Sequence, residues 1–178
     1  MDFLSEDYKR YGRKSRMPKY QYHYRKAGQS KTKIGKLYHL VMLRITRQYC
    51  LCDFPAGVKI MGGLFINHPY CIVIHPDAVL GSCITLSKGV VIGQENRGKR
   101  KGTPTIGDKV CICPGAVIVG NIRIGSDVVI APNAYVNCDV PDHSIVIGNP
   151  CIIKHRDNAT EGYLYGDVYH EKSLFLCE

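Results

Sequence analysis

Aliphatic residues recur at every sixth position over the second half of the chain. Stepping by six from Ile106 meets Ile112, Ile118, Ile124, Ile130 and Val136, and four residues beyond each stand Val110, Ala116, Ile122, Val128, Ala134 and Val140. Turn-forming residues crowd between them, as in Gly107-Asp108, Pro114-Gly115 and Gly125-Ser126-Asp127. The repeat runs upstream in two further registers, Phe54, Ile60, Ile66, Ile72 and then Ile74, Leu80, Leu86, Ile92, separated by a two-residue slip. A six-residue period predicts short strands joined by bends, three to a coil, with the aliphatic positions filling the interior. Coils stacked at ~4.8 Å would pair their backbones with one another. The expected class is therefore an all-β, three-sided parallel β-helix. A doubly wound α/β fold would need helical segments between strands, and this region has no helical period.

Two departures from the period matter. Fourteen residues separate Ile92 from Ile106 where six are expected, and the surplus is polar and basic, Gln94 to Thr103. A coil can extrude such a loop, here residues 93–105, without breaking its stack, and polar loops on rigid scaffolds often carry function. The other departure is the start of the chain. Residues 1–33 are rich in Tyr, Lys and Arg with little periodicity, whereas Ile34, Leu37, Leu40, Val41 and Ile45 fall at helical spacing. This predicts one amphipathic helix over 34–49, packed by its apolar face on the core. The organisation expected is a short, partly helical extension over 1–50, the β-helix over 51–154 and a tail over 155–178.

Charge and cysteine content refine this picture. The chain has 178 residues and a formal net charge of +9, and residues 1–47 hold 13 Lys+Arg against 3 Asp+Glu. The basic character therefore belongs to the extension. A solvated segment packing on a neighbouring subunit is the plainer reading, and peripheral contact with an anionic membrane surface is the other; nucleic acid is not an expected partner. No apolar run reaches the ~18 residues that span a bilayer, and Met1 to Arg16 lacks the apolar region of a secretory signal, so a cytoplasmic location is expected. The nine cysteines are odd in number, and Cys50/Cys52 and Cys111/Cys113 are C-x-C pairs without zinc spacing. Buried thiols are expected, and no metal.

The repeats end with Val140-Pro141-Asp142 and then Gly148-Asn149-Pro150. In this they resemble the hexapeptide-repeat acyltransferases. Residues 53–154 are most similar to the serine acetyltransferase branch and its relatives that acetylate capsular or exopolysaccharide sugars. The resemblance implies a left-handed helix, a homotrimer, and acetyl-CoA as co-substrate in grooves between subunits. It places a catalytic histidine at His68, in Phe65-Ile66-Asn67-His68, and an orienting carboxylate at Asp53. Histidine suits a general base for hydroxyl attack on a thioester, and a carboxylate would fix its tautomer. Fifteen residues is three short of a coil, so the two would fall on adjacent coils around one corner. The acceptor would meet Asn67 and His75. The resemblance places acetyl-CoA against Gly93, Pro114 and Pro132, with Arg97, Lys99, Arg100, Lys101 or Lys154 available to its phosphates.

The sequence departs from the serine-specific pattern. Asn67 stands where that branch has Asp, and Gly102 and Thr103 stand where it has Arg and a second His. A zwitterionic substrate needs both charges matched, so these losses favour a sugar hydroxyl as acceptor. Serine O-acetylation and a non-catalytic β-helix scaffold are the alternatives.

Overall fold

A computed structural model describes residues 2–12 and 16–166. Its main body is a three-sided parallel solenoid. Thirteen short strands, β1 (Lys59–Ile60) to β13 (Ser144–Ile147), wind up three stacked sheets, and β14 (Ile152–His155) turns back on the last. The sheets run β1-β4-β7-β10, β2-β5-β8-β11-β13-β14 and β3-β6-β9-β12. Every pairing is parallel except β13 with β14. Registers follow the predicted columns: Ile60, Leu80, Ile106 and Ile124 stack on one side, and Ile74, Ile92, Ile118 and Val136 on another. All are buried, and they form one continuous core.

The corners explain how so regular a chain turns. Gly63, Cys83, Lys109, Asp127 and His143 form one column of left-handed residues, and Cys71, Gly89, Gly115 and Asn133 form a second. His68, at φ +56°, is the one non-glycine left-handed residue of the coils outside both columns. It marks the slip: Ile66 pairs with Leu86, twenty positions on, whereas Ile112 pairs with Ile130 at the regular eighteen.

The expected free loop is a small hairpin. Glu95 and Gly102 exchange both backbone hydrogen bonds at 3.0 Å, and the Asn121 amide donates to the Arg100 carbonyl at 2.8 Å. The insertion is thus tied to the coil above it.

The N-terminal region differs most from expectation. It contains three helices, α1 (Phe3–Tyr11), α2 (Lys19–Gln29) and α3 (Lys33–Cys50). The first coil has no coil below it, so its downward backbone groups need other partners. α1 and α2 supply them. Tyr20 Oη donates to the Phe54 carbonyl at 2.7 Å, and Tyr24 Oη to that of Val58 at 2.6 Å. Arg25 donates to the carbonyls of Ile60 and Met61, each at 2.6 Å, and Gln21 to that of Leu64 at 2.8 Å. Asp7 accepts from the Leu64 amide at 2.8 Å and pairs with Arg25 at 2.7 Å, both side chains being buried. Burial pushes the Tyr20 and Tyr24 hydroxyls up to about 12, so both remain donors at neutral pH.

Three expectations are corrected here. The extension is not simply solvated, because Arg25 is buried against the chain's own first coil and Arg10 against the first two. The predicted helix forms, but its apolar face is not packed on the core: Ile34, Leu37, Val41 and Ile45 are 83%, 63%, 49% and 42% exposed, and only Leu43 and Cys50 of α3 are buried. The thiols are not uniformly buried either; Cys50, Cys52 and Cys111 are, whereas Cys71 is exposed. Among the described residues, no group of three or more His, Cys, Asp or Glu could hold a metal. No described helix is long and apolar enough to cross a membrane.

The tail, expected over 155–178, is partly structural. Thr160 and Ala159 dock on Asp127, and further on Tyr165 stacks on Phe65 at 5.1 Å while its carbonyl accepts from Arg10 at 2.9 Å. The chain from Thr160 to Tyr165 therefore returns from the upper coils to the first. The rest of the tail, His170 included, lies outside the described residues.

Candidate active site

β2 (Phe65–Asn67) ends at Asn67, whose register partner is Ser87, and the chain then bends through His68. A left-handed backbone at a residue with a Cβ costs about 1–2 kcal/mol, a cost that often collects at functional positions. His68 is exposed, and no hydrogen bond or ion pair of its ring occurs among the described residues. Its carbonyl accepts from the Tyr70 amide at 2.8 Å, which tightens the turn into Cys71.

Asp53 lies one coil below. It bridges Val73 of β3 (Val73–Ile74), and its amide donates to the Ile72 carbonyl at 2.6 Å. It therefore sits on the outer side of the sheet that the His68 corner feeds. The expected hydrogen bond to His68 is not made. Arg47, in the last turn of α3, holds the Asp53 carboxylate at 2.6 Å, with 54% and 46% of the two side chains exposed. The reason is the position of α3, which ends at Cys50 and brings Arg47 six residues ahead of Asp53. The sequence does not single out Arg47, because a helix-end cation reads there as an ordinary solvated charge.

A groove of ≈380 Å³ climbs the corner that follows His68, lined by Tyr70, Cys71, Gly89, Pro114, Gly115 and Pro132, together with Lys88 and Asn133. Two of the expected cofactor residues, Pro114 and Pro132, are thus brought together. At Gly115, φ +71°, a side chain would run into Asn133 and fill the groove. The three steps between its four coils, at ~4.8 Å each, give a channel on the order of 15 Å long, and its lower end, Tyr70, is two residues from His68.

The remaining expected residues lie elsewhere on the chain. Gly93 ends β6 (Val91–Gly93) at the opposite edge of the same sheet, and the hairpin carrying Arg97, Lys99, Arg100 and Lys101 follows it. Arg100 approaches Glu95 at 3.6 Å. His75 also stands at that opposite edge, where its Nδ1 accepts from the Asp77 amide at 3.2 Å, a turn-stabilising role. Lys154 is on β14, in the sheet that β2 begins. Within one chain, then, the base candidate and the groove share a corner, and the basic hairpin occupies another.

A second aspartate and histidine form a closed pair at the upper end. His143 Nδ1 lies 2.8 Å from Asp127, which also accepts from the Ala159 amide and from the amide and hydroxyl of Thr160 at 2.9, 3.0 and 2.6 Å. Burial works against the Asp127 charge, but these hydrogen bonds prevail and bring it to about 2. The hydrogen bond to Asp127 raises His143 above the usual imidazole value.

Comparison with known proteins follows the same lines. Residues 103–138 match the family described as bacterial transferase hexapeptide (six repeats). A Staphylococcus aureus protein named serine acetyltransferase is 36% identical over 119 residues, covering 67% of this chain and 56% of that protein. The chain thus spans little more than half the length of this curated relative. The crystal structure of serine acetyltransferase in complex with coenzyme A from Brucella abortus strain S19 superposes with a TM-score of 0.65 at 25% identity, covering 76% of this chain and 54% of that one. Another crystal structure of the Brucella abortus protein has a TM-score of 0.68 at 24% identity, covering 86% of this chain and 66% of its own, and shows the shared fold.

Proposed function

The chain belongs to the hexapeptide-repeat transferase family, on its serine acetyltransferase-like side, and from that premise we propose that it moves an acetyl group from acetyl-CoA to a hydroxyl. The observation that carries this reading is the groove of Pro114 and Pro132, whose lower end at Tyr70 is two residues from His68. A pantetheine arm laid along it would bring its thioester to an exposed imidazole. His68 takes the proton from the acceptor hydroxyl as its oxygen attacks the thioester carbonyl, and returns that proton to the departing CoA thiolate. Asp53, once turned to the imidazole, stabilises the imidazolium.

The acceptor is a sugar hydroxyl of a polysaccharide or its precursor, a reading that the site residues support. Asn67 is neutral, and Gly102 and Thr103 supply neither a cation nor a second imidazole. Serine is the second reading, favoured by the names of the relatives. The working unit is a homotrimer, which accounts for the separation of groove and hairpin. In a ring of three, the hairpin of one subunit can reach the groove of the next and set Arg97, Lys99 and Lys101 against the CoA phosphates. The exposed apolar side of α3 is a second surface that such an assembly can cover.

The test is release of CoA thiol from acetyl-CoA, with L-serine and free sugars offered separately. Sugar-dependent release that is lost in His68→Ala supports the reading. O-acetylserine formation from L-serine moves it to the second reading, and failure to bind acetyl-CoA leaves only a scaffold.

A further inference from the structure

A cleft of ≈850 Å³ opens between α3 and the first coil, on the side where Asp53 stands. Leu40, Leu43 and Phe54 give it an apolar floor, and its exposed or half-exposed polar lining is Arg44, Arg47, Gln48 and Asp53. Two guanidinium groups thus face one carboxylate. Arg44 is exposed, and no hydrogen bond or ion pair of its side chain occurs among the described residues. The Arg47–Asp53 pair is half exposed on both sides, the kind of pair that water and competing ions weaken most. The cleft therefore offers an unneutralised cation and a second that can be drawn from its partner.

We propose that this cleft is the acceptor's subsite, and that Arg44 and Arg47 select an acceptor bearing an anionic group, a carboxylate or a phosphate, near the hydroxyl to be acetylated. This rests on the roles of His68 and Asp53 given above. Guanidinium groups bind both oxyanions through paired N–H donors. An anion that engages Arg47 takes it from Asp53, and the freed carboxylate can then turn to the His68 imidazole. A neutral acceptor leaves Arg47 on Asp53 and the imidazole unsupported. Selection thus arises in turnover as well as in binding, because the right acceptor completes the catalytic pair. Arg47 is a positioning residue in this scheme, since it acts through Asp53.

The test uses the full-length protein, acetyl-CoA, and three acceptors built on one sugar: glucose, glucuronate and glucose 1-phosphate. The wild type should favour at least one charged sugar over glucose by about tenfold or more in kcat/KM, and the carboxylate and phosphate arms tell which oxyanion is read. Arg44→Gln should raise KM for that sugar about tenfold with little change in kcat. Arg47→Gln should bring the kcat values of the charged and neutral sugars within about threefold of each other while the KM preference supplied by Arg44 persists, and Arg47→Lys should restore part of the kcat preference. Thermal melting of each variant separates these effects from loss of fold. Equal use of all three sugars by the wild type, or a wild-type preference kept in both glutamine variants, overturns the subsite while leaving the base in place, provided His68→Ala is inactive. Thiol release supported by none of the sugars also overturns the subsite, whereas release unaffected by His68→Ala removes the functional reading and the subsite with it.

Discussion

The lower and upper ends of the solenoid each place an aspartate and a histidine near a corner, and they use them oppositely. At the upper end Asp127 is buried and accepts four hydrogen bonds, from His143, Ala159 and Thr160. Three of these bonds hold the returning tail and the fourth engages the histidine, so the carboxylate has no acceptor position to spare. At the lower end Asp53 is half exposed and held by one arginine, while the His68 ring has no described partner. A saturated pair is a fastening. An unsaturated one, beside a groove and a cleft, has capacity left for a substrate. Histidine and aspartate in proximity therefore say little about chemistry; what remains unsatisfied around them says more.

Exchanging the two histidines for alanine should sharpen that contrast most. His68→Ala should lower the rate of CoA-thiol release by about 10²–10⁴, the range for loss of a general base. His143→Ala should leave it within about twofold. Equal losses would erase the distinction.

The next effect concerns how the lower end is held. Arg25→Met leaves the buried Asp7 carboxylate without its cation and two carbonyls of the first coil without a donor. Urea unfolding should show a loss of about 3–5 kcal/mol. A loss below 1 kcal/mol would mean that the helices do not stabilise the coil.

Asp127→Ala removes the tail's anchor and should cost about 1–3 kcal/mol by the same measurement, with acetyl transfer retained. Its acid dependence follows from a carboxyl lowered to about 2 in the folded state. The stabilisation is present above about 3.8, the ordinary value, and is lost as pH falls toward 2. The smallest effect belongs to His143, whose folded value is raised. Its contribution is full below the ordinary 6.5 and fades as pH rises through the raised value. The melting temperatures of wild type and His143→Ala should differ at pH 5 and converge at alkaline pH.

The coils were legible because one physical demand repeats: an aliphatic side chain inward every six residues. Ile60, Leu80, Ile106 and Ile124 satisfy it in register, and even the slip between Ile72 and Ile74 could be read. The helices that cap the first coil were not legible. α1 and α2 bind through Tyr20, Tyr24, Gln21, Arg25 and Asp7, which donate to or accept from backbone and so leave no aliphatic stripe. α3 forms where the spacing predicts it, but it meets the core through Leu43 and Cys50 and not through the face of Ile34, Leu37, Val41 and Ile45. At the site, Asp53, His68, Pro114 and Pro132 were visible through resemblance. Arg47 and the cleft were not, because they arise only when the end of α3 meets the start of the first coil.

The central claim is that His68 acts as the base at the foot of the groove. Chemical rescue tests it most directly: CoA-thiol release by His68→Ala measured against added imidazole, with His143→Ala as control. The account predicts a disabled enzyme whose rate climbs with imidazole concentration, and a control that is active and indifferent to it. A His68→Ala protein that turns over at the wild-type rate without imidazole would contradict it.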